Sequence, residues 1–170
     1  MKHNVIGITG WKNSGKTTLV EKLAAHFSQM GLRIATVKHA HHEFDIDHEG
    51  TDSFRHRKAG ARETAIVSAR RWALMHELDG ESEPPLADVL ARLSPCDLVI
   101  VEGYKREGHA KIEVRRNPSG PPLAPDDPSI IAIASIGQAA GTGLPVFNLD
   151  DTAAIAHFII QRLGLQTDPK

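Results

Sequence analysis

Apolar residues along the chain alternate between short continuous runs and longer stretches with helical spacing. Val5-Ile6-Gly7-Ile8-Thr9 is the first short run and predicts a strand that ends in a glycine loop. Leu19, Leu23 and Phe27 then recur at i, i+4 and i+8, with Val20, Ala24 and Met30 beside them. That stripe predicts a helix from about Lys16, closed by Gly31. Arg33-Ile34-Ala35-Thr36-Val37 is the next strand, and a strand–helix–strand unit implies parallel strands with a right-handed crossover. Thr64 to Ala69 and Trp72 to Met75 suit the two arms of a β-hairpin, although Arg70-Arg71 offers no good turn residue. Pro84-Pro85 opens a helix with Leu86, Val89, Leu90 and Leu93 on one face. Leu98-Val99-Ile100-Val101 is apolar throughout, as expected of a strand covered on both faces. Ile130 to Ala134 and Pro145 to Phe147 are further strands, and a last helix with Ile155, Ala156, Ile159, Ile160 and Leu163 starts near Asp150-Asp151. The sum is a three-layer α/β domain with a mostly parallel sheet and a β-hairpin extension.

The glycine loop after the first strand carries the strongest chemical signal. Gly10-Trp11-Lys12-Asn13-Ser14-Gly15-Lys16-Thr17 satisfies G-x-x-x-x-G-K-[ST] without a mismatch, between a strand and a helix as the motif requires. Glycines at 10 and 15 let the backbone turn its N–H groups inward, and the positive end of the following helix adds to the anion site. Lys16 supplies a mobile charge for the β and γ phosphates, the Thr17 hydroxyl suits Mg²⁺, and Thr18 can reach the α phosphate. This is a P-loop NTPase domain by its motif, and Gly10 to Thr18 is its phosphate cradle.

With 170 residues the chain suits a single P-loop nucleotide-binding domain, residues 1–170. Twenty basic residues face twenty-one acidic ones, so the net charge of −1 gives no basic footprint for nucleic acid. Cys96 is the one cysteine and has no internal disulfide partner, which fits a reducing compartment. The apolar run before Gly7 is too short for a signal-peptide core, and no run approaches the ~20 residues of a membrane span. The expectation is a cytoplasmic protein that does not enter a membrane. Asn117 to Pro128, with five prolines and a glycine, reads as loop.

A phosphate loop needs a carboxylate to orient Mg²⁺ or the attacking water, and such a residue usually ends a buried strand. Glu102 follows Leu98 to Val101 and is the natural candidate, its alternative being a carboxylate that meets Lys105 or Arg106. Asp97 lies at the wrong end of the same strand. Asp45 and Asp47 sit after the second strand, where related folds bring a loop toward the metal; otherwise they are solvated loop charges. Four of the ten histidines fall between His39 and His48, in Lys38-His39-Ala40-His41-His42-Glu43-Phe44-Asp45-Ile46-Asp47-His48-Glu49-Gly50. Imidazole and carboxylate together suit zinc or nickel, but no thiolate is present, and contact with a phosphate or pterin is the preferred reading.

Four blocks in order make the chain closely resemble the MobB family, molybdopterin-guanine dinucleotide biosynthesis protein B. They are Gly10 through Leu19, Val37-Lys38-His39-Ala40-His41-His42, Asp47 through Arg55 with Ala59-Gly60-Ala61, and Val101-Glu102-Gly103-Tyr104-Lys105. The phosphate loop alone is shared by many proteins, and its combination with the other blocks is far more specific. The resemblance implies a GTP-binding accessory protein with weak GTPase activity, homodimeric through an extended sheet. It also implies work beside the guanylyltransferase that attaches GMP to molybdopterin, and contact with the pterin itself is a further possibility. One departure concerns the base: guanine-selecting proteins often carry Asn-Lys-x-Asp, whereas Asn148-Leu149-Asp150-Asp151 lacks the lysine, and Asp151 can instead cap the last helix. The second candidate position, Ser135-Ile136-Gly137-Gln138, offers no aspartate. Guanine preference is therefore carried by the resemblance. Two other functions suit the same loop: a small-molecule kinase, for which Arg55, Arg57, Arg70 and Arg71 can supply lid arginines, and a nickel-loading GTPase.

Overall fold

The computed structural model of the chain describes residues 3–40, 44–116, 120–137 and 143–166. It divides into two compact units, one formed by residues 1–39 with 86–170 and the other by residues 40–85.

The larger unit is built on a six-stranded sheet. Its strands are β1 (Val5–Thr9), β2 (Ile34–Lys38), β5 (Leu98–Glu102), β6 (Lys111–Arg115), β7 (Ile130–Ser135) and β8 (Val146–Asn148). They lie in the order β2-β5-β1-β6-β7-β8, and every adjacent pair is parallel. Helices α1 (Lys16–Gln29), α3 (Leu86–Ala91) and α4 (Thr152–Leu163) belong to this unit. Alternate residues of β5 separate the two faces. Leu98 and Ile100 join Ile6, Ile8, Leu19, Leu23, Phe27, Ile155 and Ile159 in the main core under α1 and α4. Val99 and Val101 join Val37 and Leu86 of α3 on the opposite side. The two faces explain why β5 is apolar at every position.

Strand β6 is the exception to the apolar pattern. Ile112 and Val114 enter the main core, while Lys111 and Glu113 point to the other face and are also buried, at 0% and 1% exposure. On that face of β6 the segments around 103–110 and 120–129 satisfy the charges. Lys111 Nζ donates to the Glu107 carbonyl, to Ser129 Oγ and to Asp127 Oδ2. Glu113 accepts from the Leu123 and Ala124 amides at 2.9 and 3.0 Å and pairs with Arg115 at 2.8 Å. Each buried charge thus has both a counter-charge and further hydrogen bonds, as burial demands. Gly7 on β1 lets the 103–110 segment pass close, since a Cβ there would lie 2.5 Å from His109 Nε2.

The smaller unit holds α2 (Asp52–Lys58) and the antiparallel pair β3 (Glu63–Val67) and β4 (Trp72–His76). The expected hairpin is present. Its turn is made by Ser68, whose hydroxyl donates to the Arg71 carbonyl at 3.0 Å and accepts from the Arg71 amide at 3.2 Å. Arg57 on α2 gathers Asp45, Asp47 and Glu77 at 2.7, 2.5 and 2.9 Å. No helix of the described residues is long and apolar enough to cross a membrane.

Candidate functional site

Because all six strands of the large sheet run the same way, their C-terminal ends gather on one edge. Lys38, Glu102 and Gly10 end or follow β2, β5 and β1, while Arg116 and the Asn148-Leu149-Asp150 turn follow β6 and β8. The central strand β1 lies between β5 and β6; its connection runs toward β2 whereas that of its neighbour β6 runs toward β7, the arrangement that opens a ligand crevice in parallel sheets.

The loop from β1 to α1 takes conformations that its glycines and asparagine permit. Gly10 has φ +148°, and a Cβ there would lie 2.6 Å from the Val114 carbonyl oxygen and 2.7 Å from Ser14 Oγ. Asn13 and Gly15 follow at φ +62° and +100°. The Ser14 amide donates to the Trp11 carbonyl at 3.2 Å, and α1 begins with Leu19 N–H on Gly15 O at 3.0 Å. Ser14 Oγ is buried and has no hydrogen-bond partner among the described residues, so a buried donor stands ready inside the cradle. Lys12, Thr17 and Thr18 are exposed.

Lys16 Nζ donates to the Trp11 carbonyl at 2.7 Å. Burial pushes its ammonium below the usual lysine range, the Glu102 carboxylate opposes that, and Lys105 and Lys38 add to it. An anion placed between these cations relieves their repulsion. Thr17 Oγ1 donates to Glu102 Oε1 at 2.9 Å, and Lys38 Nζ stands 3.9 Å from the same oxygen. Glu102 itself is 9% exposed. The hydroxyl at the head of α1 and the carboxylate at the end of β5, distant in sequence, therefore meet at one point. Neither Lys105 nor Arg106 is the partner; Lys105 instead lies over the Trp11 ring, 4.8 Å from its centre. Trp11 Nε1 donates to the Pro121 carbonyl at 2.8 Å.

Asp97 lies at the opposite edge and pairs with Arg33 at 3.0 Å. His39 stands beside the site: its amide donates to the Glu102 carbonyl at 2.9 Å and its ring packs on Tyr104, centroids 4.8 Å apart. Asp45 and Asp47 belong to the smaller unit, where both are engaged by Arg57; that guanidinium holds the Asp47 carboxyl below the usual carboxylate range. His41, His42 and Glu43 lie outside the described residues, as do Asn117 and Gln138. Among the described residues no three His, Cys, Asp or Glu side chains form a metal-holding group. Asp151 caps α4, accepting from the Ala154 amide at 3.0 Å. Sequence reading missed Lys38 as the neighbour of Glu102, and Arg116 beside Gly15. The register pair Lys38–Glu102 on adjacent parallel strands is the signal for the first.

A strand, a phosphate-binding loop, a helix and a carboxylate on the neighbouring strand place the chain in the class of P-loop nucleotide-binding folds. Residues 5–136 match the family described as molybdopterin guanine dinucleotide synthesis protein B. The chain belongs to this family, MobB. It is 36% identical over 166 residues to the molybdopterin-guanine dinucleotide biosynthesis adapter protein of Escherichia coli strain K12, covering 95% of this chain and 94% of that protein. The adapter protein of the same description from Haemophilus influenzae is 38% identical over 134 residues, 77% of this chain and 74% of that one. A crystal structure of molybdopterin-guanine biosynthesis protein B superposes with a TM-score of 0.74 at 28% identity, covering 94% of this chain and 99% of that one. The MobB homologue of Bacillus stearothermophilus gives 0.69 at 29% identity, covering 95% and 98%.

Proposed function

We propose that this chain binds GTP with Mg²⁺ at the Gly10 to Thr18 loop and serves as an accessory protein in molybdenum cofactor assembly. In that role it assists the guanylyltransferase that attaches GMP to molybdopterin, with slow hydrolysis of its own GTP timing the complex. Residues 1–170 act as one nucleotide-binding domain, with residues 40–85 as an insertion between β2 and α3. The observation that carries the reading is the Thr17–Glu102 contact of 2.9 Å at the head of a fully matched phosphate loop. Family membership and the names of the relatives support the pathway.

The residues present fit both groups. The orphaned Ser14 hydroxyl and the conformation of Gly10 suit a phosphate cradle, and a hydroxyl beside a carboxylate is a hard-oxygen pair of the kind Mg²⁺ prefers. A Mg²⁺ ion held there by Thr17 and Glu102 would neutralise phosphate charge. Lys16 moves from the Trp11 carbonyl to the phosphates, where a charged donor gains more than a neutral one. Thr17 and Glu102 hold the metal side, and Glu102 orients the attacking water. Asp45 and Asp47, bound to Arg57, hold their own loop, and the catalytic assignment rests on Glu102. The hairpin exposes Val67 and Trp72, cross-strand neighbours at 75% and 70% exposure, which supports a homodimer.

The test is co-purification of the guanylyltransferase with and without GTP, beside calorimetric titration of GTP into wild type and Lys16→Ala. GTP-dependent retention that Lys16→Ala removes is the expected outcome. A folded Lys16→Ala chain with undiminished affinity would refute the loop assignment, and phosphate transfer to a small acceptor would favour the kinase instead.

A further inference from the structure

Two lysines from different elements converge on Trp11. Lys16, at the head of α1, donates to its carbonyl at 2.7 Å, and Lys105, from the loop after β5, holds its ammonium 4.8 Å from the centre of the indole. The indole between them is fixed: its Nε1 donates to the Pro121 carbonyl at 2.8 Å, and a Cβ on Gly120 would lie 2.5 Å from its Cδ1. Lys105 meets a ring and not a carboxylate here, because Glu102 of the same segment takes Thr17 and Lys38 instead. The backbone is bent to bring Lys105 to this place. Gly103 and Tyr104 both have positive φ, +95° and +48°. A Cβ on Gly103 would lie 2.8 Å from His39 Cβ, and Tyr104 carries a full side chain in the left-handed region while its ring packs on His39. Strain of this kind is retained where a chain must aim a particular group.

We propose that Lys105 is a second cation for the terminal phosphate and makes the site prefer a nucleoside triphosphate over a diphosphate, an inference that rests on the phosphate loop being a nucleotide site. Thr18 serves the α phosphate, so Trp11, at the other end of the loop, lies beside the last phosphate of the row. A charge held over Trp11 is therefore within reach of the third phosphate and not of the first. The indole gives up the lysine readily: a cation over a ring that is 44% exposed gains little, whereas a charge-assisted bond to a phosphate oxygen gains more. Burial lowers the Lys16 ammonium below the usual lysine range, and the neighbouring Lys105 charge lowers it further. An anionic oxygen shared by the two lysines turns that repulsion into attraction. A diphosphate ends short of Trp11 and leaves Lys105 on the ring.

The experiment is calorimetric titration of the full chain, of Lys105→Gln and of Lys105→Arg with GTP, its non-hydrolysable imido analogue and GDP, each with Mg²⁺. Lys105→Gln keeps most of the side chain and removes the charge. It should weaken GTP and the imido analogue about tenfold or more while weakening GDP by less than about twofold. Lys105→Arg should restore most of the preference, because a guanidinium also serves a phosphate oxygen. A selective loss of the triphosphates with GDP affinity retained is a result that misfolding cannot imitate. An unchanged GTP-to-GDP ratio in Lys105→Gln, or equal weakening of all three ligands, overturns the assignment while leaving the loop intact. A wild-type chain that binds none of the three overturns the loop reading and this one together.

Discussion

Replacing Glu102 by glutamine isolates the charge at the meeting point of β5 and α1, because the amide keeps the shape and one acceptor oxygen. The Thr17 hydroxyl bond of 2.9 Å ends on a charged group, a class worth about 1.5–3 kcal/mol, and a neutral acceptor retains roughly half. Lys38 at 3.9 Å is largely exposed and contributes about 0.2–1 kcal/mol. Against these losses stands the relief of keeping a carboxylate at 9% exposure. The net destabilisation is therefore small, about 1 kcal/mol, which for a chain of this size lowers the melting temperature by about 2–4 °C. Turnover should respond far more. If Glu102 orients the water, hydrolysis per bound nucleotide falls about 10²-fold, the usual effect of losing a positioned proton acceptor. Differential scanning fluorimetry and single-turnover phosphate release on the same preparation measure the two effects separately. A melting shift with unchanged turnover would refute the reasoning and reduce Glu102 to a structural partner of Thr17.

Gly10→Ala should cost more than Gly31→Ala, although both have positive φ, because only at Gly10 does the new methyl meet fixed backbone, at 2.6 Å; melting temperatures of the pair decide it. Arg57→Met should destabilise residues 40–85 selectively by leaving Asp47 buried without its counter-charge, which limited proteolysis reads as cleavage confined to that unit. His109 is half-buried with both ring nitrogens unpartnered among the described residues, and burial with Lys111 nearby lowers its pKa to about 4. The unfolded chain takes up this proton near pH 6.5 and the folded chain only near 4, so stability should fall between those values and level off below them. After allowance for partial exposure the loss is about 2 kcal/mol, and His109→Gln should remove that share of the pH dependence of chemical unfolding.

Elements that bury one continuous stripe or run were legible in the sequence: β1, α1, β2, β5 and α4 follow directly from apolar spacing. Strand β6 was not, because Lys111-Ile112-Glu113-Val114-Arg115 alternates like a half-exposed strand. Its charges are nonetheless buried, since the segments above it supply Asp127, Ser129 and the amides of Leu123 and Ala124. No local pattern announces partners that arrive ten or more residues later. Helix α2 was missed for the opposite reason: none of Asp52–Lys58 is buried, so no periodicity marks it. Its start was written only in the Thr51 cap, which accepts from the Phe54 amide at 3.4 Å. At the site, the motif fixed the loop and strand order suggested Glu102, whereas Lys38 and Arg116 are joined to it only by the three-dimensional gathering of strand ends.

The strand order carries a consequence for how the chain comes to be folded. Although β1, α1 and β2 are consecutive, β1 and β2 are never neighbours: β5 lies between them, pairing Val99 with both Val5 and Ala35. A ribosome that has released residues up to 90 has therefore made the phosphate loop and its helix without either strand that flanks β1. Until Leu98–Glu102 emerges, Ile6 and Ile8 have no ladder to enter, and one edge of β1 waits longer still, for Lys111 to Glu113. Such long-range pairing makes folding slow relative to local structure formation and leaves sticky strands uncovered meanwhile. The loop after β1 is thus synthesised before both strands that flank β1, and it takes its final shape only when the sheet closes around that strand.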